Sequence, residues 1–229
     1  MVVARRSGRT PVYLELGKQR VFASALDWPG WSRSGKGEAA ALEALAAYAR
    51  RYVEVAKAAA MPFPSVTVDD FEIVERVRGS ATDFGVPAEP AARDAQPVTA
   101  KEAARLAGLV GAAWKVFDRV VAKSPASLRK GPRGGGRDRD VMVDHVLGAE
   151  AMAYAHKLGL RLEQPSRLDK TAIAAERRAI VDAIAGAGRK AVPEKGWPAP
   201  YAARRIAWHA LDHAWEMEDR SQPAPAPPK

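Results

Sequence analysis

Cysteine is absent from this 229-residue chain, which removes disulfides, thiolate metal sites and cysteine nucleophiles from consideration. Histidine occurs only four times, so a metal site built on imidazole has few residues to draw on. No apolar run approaches the roughly 18 residues that would cross a bilayer, and the opening MVVARRSGRT is basic without the apolar core of a secretory leader. A soluble cytoplasmic protein is expected, with no membrane partner. Several nucleotide and hydrolase motifs are missing as well. Gly134-Gly135-Gly136 is followed by Arg137-Asp138 rather than Lys-Ser/Thr, so there is no P-loop, and there is no Gly-x-Ser-x-Gly elbow or dinucleotide fingerprint.

What the chain has in excess is positive charge, +9 formally. That invites a nucleic-acid reading. However, the Lys and Arg are spread among Asp and Glu, and the one dense cluster, Arg129–Asp140, is glycine-rich. Nucleic acid is therefore not the expected partner. At this length the chain can hold one large domain or two small ones, and the pattern of elements favours two.

The first part alternates. Val12–Leu16 and Arg20–Leu26 have a period of two and are joined by Gly17-Lys18-Gln19, which predicts a β-hairpin. Asp27–Gly37, with its Pro-Gly and glycine-rich turns, is expected to end the pairing. Glu38 to about Ala60 is rich in helix formers, with Leu42, Leu45, Ala49, Tyr52 and Val53 as its apolar stripe. Met61–Pro64 stops that helix, and Val66–Val77 reads as a further strand. Trp28, Trp31 and Tyr48 are expected in the small core rather than as stacking platforms. This β-β-α-β order, with Pro29-Gly30 before a helix starting near Glu38, resembles the HicB-like antitoxin fold over Val12–Ala60. The DNA-binding segment that those antitoxins carry has no counterpart here. The first domain is assigned to residues 1–78.

Residues 79–97 contain three prolines among small residues and read as a linker. From 98 to 221 the pattern is helical. Thr99 and Glu102 form a capping-box pair that opens a helix to about Lys123. Helices over Asp138–Leu158, Leu168–Ala187 and Trp197–Arg220 follow, and four helices of about twenty residues without strands indicate a four-helix bundle. The fold class is thus α+β: a small β-β-α-β domain followed by an all-α bundle. The proline-rich tail, 222–229, is expected to be disordered.

The last helix carries His209 and His213 four residues apart, a spacing that sets two imidazoles on one face. They sit at the edge of the stripe Ile206, Ala210 and Met217. His145, in the second bundle helix, shares its face with Met142, Ala149 and Met152 and also points inward. His156 returns to that face about 16 Å further on and is assigned to structure or solvent. Histidines on helices are often ordinary polar residues, but three converging inward ones call for a ligand or a hydrogen-bond network. Asp212 and Glu216, next to the pair, are candidates for accepting imidazole N–H or moving protons; solvated helix charges are the simpler reading of both. Arg205 could hold an anionic substrate, or be a surface arginine.

The C-terminal part, about Thr99–Arg220, resembles the DinB-like family in its helix order and in His145 of MVDHVLGAE and His209 with His213 of AWHALDHAWEMEDR. The resemblance implies a divalent metal held by these three histidines. It also implies a metal-dependent enzyme, a hydrolase or a transferase using a small thiol such as mycothiol, bacillithiol or glutathione, although other relatives have no known activity. Three imidazoles favour Zn²⁺, with Ni²⁺ or Fe²⁺ compatible, and leave a coordination position open to a small-molecule substrate. The alternative is a non-catalytic HicB-like binding or regulatory protein, or a dimerisation protein, with a structural metal or none. Trp208, Leu211 and Trp215 occupy the side of the last helix away from the histidines. They form an apolar ridge that needs a cover, either the N-terminal domain or a second copy in a homodimer.

Overall fold

Alternating Val12, Leu14 and Leu16 give the first strand its apolar face, and the chain pairs it on both sides. In the computed structural model, which describes residues 8–131, 135–187 and 195–221, β1 (Thr10–Leu16) lies antiparallel to β2 (Val21–Ala25). The expected hairpin is present. β1 also pairs in parallel with β4 (Phe71–Arg78), giving the sheet order β3-β2-β1-β4. The sequence reading missed β3 (Ser32–Gly35), which runs antiparallel to β2 inside the stretch expected to end the pairing. Ser-Arg-Ser-Gly has little strand propensity of its own; β2 supplies the ladder that makes it a strand.

α1 (Glu38–Ala58) crosses the sheet. Its buried residues are Ala41, Leu45, Ala49, Tyr52, Val55 and Ala56, so the expected stripe is rotated slightly and Leu42 and Val53 fall at its edges. Trp31 is wholly buried beneath α1, its indole N–H donating to the Leu45 carbonyl at 2.9 Å, while Trp28 and Tyr48 are partly buried against the same core.

Residues 79–97 do not behave as a linker. Two short 3-10 turns, Thr82–Phe84 and Ala92–Ala95, fasten this stretch to the sheet. The Asp83 carboxylate accepts the backbone N–H groups of Lys18, Gln19 and Arg20 at 2.8–3.0 Å. Buried Glu15 accepts those of Ala88 and Glu89 at 3.1 and 3.0 Å, and the Thr82 hydroxyl. All but the Thr82 bond satisfy a backbone amide that a loop would otherwise leave to water. Composition cannot show this, because the acceptors lie in other elements.

Four helical segments follow. α2 (Ala100–Lys123) opens at Thr99, whose side chain accepts the Glu102 N–H at 3.1 Å as predicted. The helix expected over Asp138–Leu158 is α3 (Arg139–Gly148), a π-helical stretch Ala149–Tyr154 and the short α4 (Ala155–Lys157) in one run. α5 (Lys170–Ala185) is capped by Asp169, and α6 (Ala199–Ser221) begins after Trp197-Pro198. The fold class is α+β, as expected. The predicted tail at 222–229 lies outside the described residues.

The two halves share one core. A continuous cluster joins Val12, Trp31 and Leu45 to Leu106, Phe117, Ile206 and Trp215. The ridge on α6 is covered by the chain itself: Trp208, Leu211 and Trp215 are 4%, 0% and 2% exposed. Phe22 meets Trp208 edge-on at 6.0 Å, and Tyr48 meets Trp215 at 5.1 Å. Burying two indoles removes about 300–500 Å² from water, worth at most ~8–12 kcal/mol, which favours the halves docked as one body. Of the two covers expected for this ridge, the N-terminal half supplies one within the chain.

Candidate metal centre

α6 is long enough, and sufficiently anchored by its tryptophan face, to present its other side to α3. The helical period then brings His209 and His213 together, with ring centroids 4.8 Å apart. His145 on α3 completes the group at 5.0 Å from His209 and 5.1 Å from His213. One ligand nitrogen from each histidine lies within 4.8 Å of the others. His145 Nε2 and His209 Nε2 are 3.2 Å apart, close to the ~3.3 Å that separates two nitrogens on a tetrahedral ion with bonds of ~2.0–2.1 Å. The three histidines are thus close enough together to bind a metal ion.

Their electrostatics suit the same purpose. His209 is 7% exposed, and burial holds its pKa well below the usual value, helped by His213, Arg205, His145 and Arg137. Burial also lowers His145, with Arg137 and His213 adding to the effect. Both rings are therefore neutral near pH 7, as imidazole ligands must be. His213 Nδ1 lies 3.1 Å from Glu216 Oε2. An ionised acceptor there favours the Nδ1–H tautomer and leaves the Nε2 lone pair free for a cation. The His213 hydrogen bond, followed by Arg220 at 2.7 Å, holds Glu216 below the usual carboxyl range, so it stays charged. His209 Nδ1 is buried with no partner, so the ring's one hydrogen-bond contact among the described residues is through Nε2 to His145.

Of the two carboxylates expected here, Glu216 is in place and Asp212 is not. Asp212 turns toward the sheet and pairs with Arg33 at 2.8 Å. Arg33 also lies over Tyr48, 4.0 Å from the ring centroid, so the side chain that looked like a helper for the histidines instead ties α6 to β3. Arg205 lies one turn before His209, with its guanidinium 4.6 Å from the Trp208 ring and 5.5 Å from that of Tyr154. His156 is exposed, as expected.

The π-helical stretch accounts for what the sequence reading missed. A π turn carries one residue more than an α turn, so every later side chain is displaced around the axis. Met152, expected inside, is 72% exposed, while Glu150, Ala151 and Tyr154 turn inward. Tyr154 packs edge-on against His209 at 5.4 Å. No residue type announces such a turn, so Tyr154 had no signal in the sequence. Arg137 stands in the glycine-rich stretch, where its charge looked like part of a solvated cluster.

No family model, no curated protein and no solved structure matches this chain. No helix among the described residues is long and apolar enough to cross a membrane.

Proposed function

We propose that the protein is a divalent-metal-dependent enzyme of the DinB-like kind, acting as a hydrolase or a small-thiol-dependent transferase. The observation that carries this reading is the meeting of His145, His209 and His213 between α3 and α6. Three imidazole nitrogens and no protein carboxylate among them make Zn²⁺ the preferred ion, with Ni²⁺ and Fe²⁺ compatible. A bound ion of this kind would act as a Lewis acid, bringing the pKa of a bound water or thiol toward neutrality.

The chain's own residues divide the remaining work. Glu216 orients His213 by accepting its Nδ1–H, and Arg220 holds Glu216 charged. Tyr154 walls one side of the His209 ring, and partly exposed His145 marks the side open to solvent. For the N-terminal half we propose a HicB-like fold, supported by strands β1 to β3, α1 and the returning β4, with a positioning role. It fills the back of α6, so that the histidine face is the one left for a substrate.

Metal analysis of the purified protein tests the first half of the proposal. We expect close to one equivalent of a divalent ion in the wild type and almost none in a His209→Ala, His213→Ala double variant; equal content would remove the site. Incubating the loaded protein with glutathione, mycothiol or bacillithiol and a chromogenic electrophile tests the transferase branch.

A further inference from the structure

Between the sheet and α6 is a set of buried donors with nothing to donate to. Arg204 Nε, Arg205 Nη1 and Trp208 Nε1 are each shut off from solvent, and each lacks a hydrogen-bond partner. Buried donors are almost always satisfied, so three orphans on neighbouring residues require an explanation. All three residues line one small cavity, shared with the Ser24 and Ser32 hydroxyls, and no carboxylate lines it.

The two arginines differ in a way that indicates the missing partner. Arg204 is neutralised by Asp94, with Nη1 to Oδ1 at 2.8 Å and a second bond from Nη2 to Oδ2. Arg205 has no ion pair among the described residues; its guanidinium is flanked by the Trp208 and Tyr154 rings. The cavity wall therefore carries one positive charge without a counter-charge. A water could accept two of the three N–H groups but would leave that charge unmatched, whereas an anion meets both needs. Size narrows the choice. The room left for the centre of a water-sized ligand is about 10 Å³, which suits a ligand of a single atom better than a polyatomic anion.

We propose that this cavity binds one small monovalent anion of the halide class, with Arg205 as its charge partner and Arg204 Nε and Trp208 Nε1 as further donors. The site does not depend on the histidine trio. Its anion would bridge α6 to the sheet edge at Ser24 and Ser32, so binding stabilises the docking of the two halves.

The test uses the full chain in halide-free gluconate buffer. Bromide is titrated in at constant pH and ionic strength while Tm is followed, and crystals grown with bromide are measured at its absorption edge. We expect a saturable rise in Tm of several degrees and one anomalous peak within hydrogen-bonding reach of Arg205. Arg205→Gln should abolish the rise, and Trp208→Phe should weaken it. Identical melting in bromide and gluconate, an Arg205→Gln protein that responds like the wild type, or a site without anomalous signal would overturn the proposal. If Arg205→Gln does not fold, the anomalous map of the wild type alone decides.

Discussion

Replacing Glu150 by Gln should stabilise this protein, and only above about pH 5. Glu150 is 0% exposed on the π-helical stretch, and Glu176 on α5 is 5% exposed. The indole N–H of Trp114 donates to Glu150 Oε1, but Glu150 Oε2 and both Glu176 oxygens have no donor. Arg177 lies 3.9 Å from Glu150 while making its shorter contact, 2.8 Å, with Asp118. Burial is the main cause that raises Glu150 from 4.5 to about 7; burial and then the Glu150 charge raise Glu176 to about 8. An acid whose pKa rises on folding favours the protonated folded state. Its contribution is intact below about pH 4.5, falls as the unfolded chain ionises first, and is fully lost above the folded value. For Glu150 the difference between 4.5 and about 7, at 1.36 kcal/mol per pH unit, is about 3 kcal/mol. Glu150→Gln keeps the acceptor for Trp114 and removes the charge. Its stability should match the wild type near pH 4.5 and exceed it by about 3 kcal/mol at pH 8.5, or about 6–12 °C in Tm for a chain of this size. Urea or thermal unfolding of both proteins across that range is the assay. Parallel curves for the two proteins would show that the carboxyl is solvated or paired, and the reasoning would fail.

Other substitutions test the site and the docking of the halves. Glu216→Gln should leave the fold intact and weaken metal binding about 10- to 100-fold, read by competition with a chelating dye, because His213 loses its ionised acceptor. Asp94→Asn leaves the Arg204 guanidinium, 6% exposed, without its counter-charge; chemical denaturation should show a loss of about 3–5 kcal/mol. Gly30→Ala places a methyl 2.6 Å from Leu211 Cδ1 at a residue with φ +91°. Overpacking and left-handed backbone strain together should cost about 2–4 kcal/mol, measured the same way.

The sequence by itself determined what repeats over short distances. Helical spacing put His209 and His213 on one face, the Thr99–Glu102 pattern started α2, and the alternation of Val12–Leu16 marked a strand. These follow from periods of 3.6 and 2, which need only neighbouring residues. The meeting of His145 with that pair was also legible, because α3 keeps its α-helical register as far as Gly148. Tertiary structure alone decided the rest. Beyond Gly148 the π turn rotates Glu150 and Tyr154 inward and Met152 out, a change with no local residue signature. Ser32–Gly35 becomes a strand because β2 offers it a ladder, and 79–97 is held because Glu15 and Asp83 find its amides or those beside it. Asp212 leaves the histidines because Arg33, 179 residues away in the chain, reaches it first. Side chains whose partners lie in distant elements are placed by packing and charge, and those forces exist only once the chain has folded.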